Sequence, residues 1–83
     1  MRAIVTVIGK DRVGIIANVC ALLAKHGVNI LDISQTVMQE YVTMIMLVDK
    51  PEDGVAFDEL SRLLDEAGRE QGLSIRIQRE DIF

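Results

Sequence analysis

The stretch Val28-Asn29-Ile30-Leu31-Asp32-Ile33-Ser34-Gln35-Thr36-Val37-Met38-Gln39-Glu40-Tyr41-Val42-Thr43-Met44-Ile45-Met46-Leu47-Val48 decides the fold. In its first half Asp32, Ser34 and Thr36 stand opposite Leu31, Ile33 and Val37, the two-residue period of a half-buried strand. Its second half, Tyr41 to Val48, is β-branched and apolar and reads as another strand. Only Gln39 and Glu40 lie between them. That is too little chain for a crossover, so the strands are predicted to pair as an antiparallel hairpin.

Upstream, Ile15 to His26 changes to helical spacing, with Ile16, Val19 and Leu23 at i, i+3 and i+7 and Ile15, Cys20 and Leu22 flanking them. Lys25-His26-Gly27 closes that helix, placing cations at its negative pole and a glycine just beyond. Arg2 to Ile8 is a β-branched strand, ended by the turn Gly9-Lys10-Asp11-Arg12-Val13-Gly14. Downstream, Pro51-Glu52-Asp53-Gly54 is a turn by composition. A second amphipathic helix follows, with Phe57, Leu60, Leu64 and Ala67 as its apolar stripe and Leu63 beside it. Asp58, Glu59, Arg62 and Asp65 lie outside the stripe, with Arg62 in reach of Asp58 or Glu66 at i, i+4. Gly68 weakens the last turns and Gly72 ends them. Leu73, Ile75 and Ile77 then alternate with Ser74, Arg76 and Gln78 in a final strand.

The order β-α-β-β-α-β predicts an α+β, ferredoxin-like sandwich: a four-stranded antiparallel sheet with two helices on one face. The first and third strands are central in that plan and the second and fourth are edges. Both central strands are apolar on two faces, and the helices account for only one. Met44, Met46 or their neighbours are left exposed on the other, which predicts self-association.

Eighty-three residues make one domain, 1–83. Such a chain hides only about 60% of the surface its unfolded form exposes, and the 49% hydrophobic content answers that demand. Phe57, Phe83 and Tyr41 are the only aromatics. Nine basic against 13 acidic residues give a net charge of −4, which argues against direct nucleic-acid binding. The single cysteine, Cys20, forms no internal disulfide. No secretory leader is read at the N-terminus, and no apolar run approaches the ~18 residues of a membrane span. The expectation is a cytoplasmic domain without membrane contact.

The first loop is where chemistry is expected. Gly9 and Gly14 let backbone approach a ligand, Lys10 and Arg12 bring positive charge, and a helix N-terminus favours a carboxylate or phosphate. Asp11 accepts a bond from a ligand ammonium in one reading and is only a helix N-cap in the other. An α-amino acid carries both complementary groups. A phosphate-binding P-loop fails, because Ile15-Ile16 stand where Lys-Ser or Lys-Thr is required. A metal-chaperone site fails for want of a Cys-x-x-Cys pair, and an RNA-recognition module for want of aromatics on the central strands. Arg12 and Asn29 imitate the Arg/Asn pair of an acylphosphatase-like hydrolase, although the loop between does not match. His26 sits at a helix end, and no His/Cys/carboxylate cluster has metal-ligand spacing. Neither catalytic residues, a metal nor a cofactor is predicted, and the chain reads as a non-enzyme.

Val7–Ile16 (Val-Ile-Gly-Lys-Asp-Arg-Val-Gly-Ile-Ile), Gly27-Val28-Asn29-Ile30, Asn29–Gln35, Thr43–Asp49 and Gln78–Phe83 together resemble ACT domains, small ligand-sensing modules of amino-acid metabolism. Val7–Ile16, Asn29–Gln35, Thr43–Asp49 and Gln78–Phe83 are, more narrowly, similar to stand-alone ACT-domain proteins likened to the transcriptional regulator of the glycine cleavage system. Val13 departs from the proline common at that position, and the chain stops at Ile82-Phe83 where the close family is expected to continue. The resemblance implies an amino-acid ligand held between the first loop and a neighbouring subunit's second strand. It also implies edge-to-edge dimers with an eight-stranded sheet, and signalling through a partner protein. Carried over residue by residue, Asp11, Arg12, Val13, Gly14 and Ile15 supply amide groups and a carboxylate, Lys10 adjoins them, and Asn29 and Ile30 contribute from the second strand. A dimerisation unit without a ligand is the alternative.

Overall fold

The computed structural model describes residues 1–83 and carries the predicted hairpin at its centre. The elements are β1 (Arg2–Lys10), α1 (Ile15–Lys25), β2 (Asn29–Met38), β3 (Tyr41–Asp49), α2 (Phe57–Gln71), β4 (Ser74–Arg79) and a closing 3-10 turn, Glu80–Ile82. The sheet order is β2-β3-β1-β4 and every neighbouring pair is antiparallel. Met38 pairs with Tyr41 across the two-residue turn, where Gln39 takes the left-handed φ of 55° that tight hairpins demand.

Both helices cover one face. Ala3, Val5 and Val7 of β1, Val42, Met44, Met46 and Val48 of β3, and Ile75 and Ile77 of β4 bury against Ile15, Val19, Leu23, Leu60 and Leu64. Met44 and Met46 thus belong to the core, and it is their neighbour Ile45 (45% exposed), with Ile8 (47%), that stands on the open face. The stripe of α1 is Ile15, Val19 and Leu23; Ile16 is 38% exposed. The doublets Ile15-Ile16 and Leu22-Leu23 fit two helical phases, and the start of the helix directly after Gly14 selects one of them. His26 caps α1, followed by Gly27 at φ 71°.

Strand β2 departs most from expectation. Its register shifts at a bulge between Ile30 and Asp32, and beyond it no residue is buried. Ile33, Gln35 and Val37 lie opposite the buried Met46, Met44 and Val42, so they face the helix side. Yet Ile33 is 43% and Val37 54% exposed, because the helical layer stops short of this edge.

Two glycines serve packing rather than turning. Chain β1 runs on through Gly9, whose missing side chain admits Leu73, instead of ending there. Gly68 is buried where α2 meets β4: a Cβ would lie 2.8 Å from the Leu73 carbonyl oxygen and 3.1 Å from Ile75 Cγ1. Gly72 ends the helix at φ 70°, as expected. On the outer face Arg62 donates to Glu66 at 2.6 Å and to Glu59, rather than to Asp58. The Arg62 hydrogen bond holds the Glu59 carboxyl below its ordinary pKa. The stabilisation from this exposed pair is therefore present above the unfolded carboxylate's pKa and fades as pH falls through the lowered one.

Gly68→Ala tests the α2–β4 contact. The substitution gains helix propensity of about 1 kcal/mol but overfills a closed gap, which costs about 1–3 kcal/mol. The expected result is a lower urea midpoint with an unchanged slope. A midpoint at or above that of the parent would show that the gap opens freely.

Candidate functional site

The loop after β1 is anchored before it turns. The Asp11 amide donates to the Glu40 carbonyl at 2.8 Å, tying the loop to the tip of the β2–β3 hairpin. Gly14, at φ 89°, then swings the chain into α1, a conformation that side chains with a Cβ rarely adopt. The first helical bond runs from the Asn18 amide to the Gly14 carbonyl at 2.9 Å, leaving the amides of Ile15, Ile16 and Ala17 without a partner in the chain. No side chain caps them and no acidic residue lies in the first turn, so Asp11 is not the N-cap. The cap is Gly14 itself, because the tight left-handed turn puts Asp11 three residues too early. Asn18 Nδ2 donates to Gln71 Oε1 at 3.3 Å and ties this end of α1 to the end of α2.

A cleft of about 170 Å³ opens beside these amides. Asp11, Arg12, Gly14 and Ile15 line it, together with Ile16, Ala17, Val42 and, from the exposed edge strand, Gln35. Four of the predicted residues are therefore brought together. Gln35 was not among them, and its signal lay in the pairing: it sits opposite Met44, on the helix side of an uncovered strand. Lys10 and Val13 stay outside the cleft. Lys10 is the last residue of β1 and borders a separate hollow with Tyr41 and Gln71, and Val13 is fully exposed.

Asn29 and Ile30 lie at the other end of the sheet within the same chain. Asn29 pairs with Asp49 while the loop leaves beside Tyr41. Eight residues along β3 separate those rows, about 27 Å of strand. This spacing also removes the geometry of an acylphosphatase-like Arg12/Asn29 pair within one chain. No group of three or more His, Cys, Asp or Glu side chains is placed to hold a metal ion. No helix is long and apolar enough to cross a membrane.

A four-stranded antiparallel sheet with both helices on one face and a cleft at the β1–α1 turn defines a small α+β, ferredoxin-like sandwich. The model of the ACT domain matches residues 2–78, and the chain belongs to the ACT domain family, a regulatory small-molecule-binding fold. A UPF0237 protein of Clostridium acetobutylicum is 60% identical over 83 residues, which is 100% of this chain and 93% of that relative. An ACT domain protein from Streptococcus pneumoniae superimposes with a TM-score of 0.88 at 42% identity, covering 100% of this chain and 93% of that one. A candidate glycine cleavage system transcriptional repressor superimposes with a TM-score of 0.74 over 93% of this chain and 44% of that one; at 24% identity this is a likeness of fold.

Gly14→Ala is expected to lower stability by about 1 kcal/mol through left-handed strain, read as a reduced unfolding midpoint. An unchanged midpoint would show that the turn relaxes to a right-handed conformation at no cost.

Proposed function

We propose that this ACT domain is a non-enzymatic, cytoplasmic regulatory module that binds a small amino acid in the cleft at the β1–α1 turn. The observation that carries this reading is the pairing, in one small cleft, of uncapped helix amides with the side chains of Asp11 and Gln35. Free amides at a helix N-terminus suit a carboxylate, and Asp11 suits an ammonium. Ile15, Ile16 and Val42 supply an apolar wall for a side chain. The small volume favours a ligand with a short side chain.

The site is completed by a second copy. Strand β2 has a free backbone edge along its length, which antiparallel pairing with its twin satisfies. A two-fold axis near Ile33 and Ser34 sets the twin's Asn29 beside Met38 and its Ile30 beside Val37. That is the end of β2 nearest the cleft, since Val37 pairs with the cleft residue Val42. Ile30, on the helix side, and Asn29 beside it at the strand's start thus serve the partner's cleft rather than their own. A ligand bound better by one subunit arrangement than the other shifts the assembly, and a partner protein reads the change.

The second reading, a ligand-free dimerisation module, is favoured by the exposed β2 edge alone. Thermal shift against a panel of amino acids separates the two. Saturable stabilisation by a small amino acid is expected, reaching about 2.7 kcal/mol at a hundredfold excess over Kd. Asp11→Ala and Gln35→Ala each weaken it, and so does Asn29→Ala despite its distance within the chain. A flat response to every amino acid would leave dimerisation as the function.

A further inference from the structure

The face of the sheet opposite the helices carries an apolar stripe that the chain leaves uncovered. Ile4 and Ile8 of β1 and Tyr41, Ile45 and Leu47 of β3 form it, with the half-buried Thr6 and Thr43 between them, running down the two central strands. Ile8, Tyr41 and Ile45 are each nearly half exposed. No charge interrupts the stripe between the Arg2–Asp49 row at one end and Lys10 at the other. The outer strands give it a polar border, with Asp32, Ser34 and Thr36 along β2 and Ser74, Arg76 and Gln78 along β4. An apolar centre inside a polar rim is the anatomy of a protein interface.

We infer that this face is a second self-association surface, on which the open sheet of another copy stacks. Three features of the face select a copy of this chain as occupant. Stripe meets stripe, so each copy buries the same apolar set. The border carries both signs, with Asp32 on β2, Arg76 on β4, and Arg2, Asp49 and Lys10 at the ends, so a second copy can set its acids against these bases. The area is also sufficient. Four strands about 4.8 Å apart, with nine residues in β3 rising about 3.4 Å each, make a face of roughly 20 by 30 Å. Stacking two such faces removes on the order of 1,100 Å² in total, just above the ~1,000 Å² that a specific interface needs.

This contact is independent of the edge pairing proposed for β2. Pairing through β2 about an axis perpendicular to the sheet keeps both open faces on one side. Stacking then closes the assembly at four chains, without the open-ended growth of a head-to-tail contact.

Mass by light scattering, with far-UV circular dichroism as the check on fold, tests the inference. The face variants are Ile45→Lys and Ile8→Lys, both at surface positions of the chain where the protomer loses little. The edge variant is Ile33→Lys combined with Val37→Lys, on the helix side of β2. If both contacts form, the parent is a tetramer and each class of variant leaves folded dimers. If the edge pairing fails, the parent is a dimer that Ile45→Lys turns into a folded monomer and the edge variant leaves intact. Either result supports stacking. Folded face variants with the mass of the parent, or a monomeric parent at high micromolar concentration, would overturn it.

Discussion

The packing of both helices on one side of a central β1–β3 pair is the constraint from which the remaining features follow. β1 is hydrogen-bonded to β3 and β4, and β3 to β2 and β1, so the connections from β1 to α1 and from β3 to α2 must leave over a face. Two right-handed crossovers send both helices to the same face. Leu23, Leu60 and Leu64 there close over Val5, Met44 and Met46, each fully buried. A buried Leu or Met is worth about 1.5–3 kcal/mol relative to exposure, so these side chains account for much of what a domain this small has available. The buried stripes of both helices pack on that face, and the opposite face and the outer edge of β2 are left to solvent or to another chain.

The same arrangement puts the cleft where it is. A central strand that feeds directly into a helix delivers backbone amides to the rim of the sheet, and Gly14 makes the turn tight enough that no side chain intercepts them. The bond from the Asp11 amide to Glu40 fixes the loop to the hairpin tip. The cleft is therefore bounded by this anchored loop, through Asp11, Arg12 and Gly14, and by the three elements that meet it at one end of the sheet, α1, β2 and β3.

Much of this was legible in the sequence because it depends on local signals. The two-residue gap at Gln39-Glu40 forces the hairpin, and Gly27 and Gly72 end their helices with the left-handed φ expected of such positions. What was not legible depends on neighbours distant in sequence. Gly68 looks like a weak point in α2 until β4 is packed against it, and Gly9 looks like a turn until Leu73 fills the space above it. Ile15 and Ile16 each begin an apolar stripe that the helical spacing allows, and only the start of the helix after Gly14 distinguishes them. The alternation in β2 promised a buried face, but burial requires a covering element and none reaches Ile33 or Val37. Asn29 fell in the right motif and at the wrong end of its own sheet, a discrepancy that only strand pairing reveals.

The location of Gln35 connects occupancy of the cleft to assembly under the proposed reading. The residue sits on the edge strand and also lines the cleft, so its side chain and the pairing edge belong to the same segment of backbone. A ligand bound to Gln35 has to favour one placement of β2, and pairing of β2 with a twin favours the same placement or a different one. By linkage the effect is reciprocal: whatever assembly does to ligand affinity, the ligand does to assembly. Stacking of the open faces touches neither Gln35 nor the free amides of α1, because they lie on the helix side of the sheet. The two self-contacts therefore differ in kind, with the edge contact responsive to ligand and the face contact constant. An 83-residue chain with a single core would in this way hold a fixed dimer together while leaving a second interface free to respond.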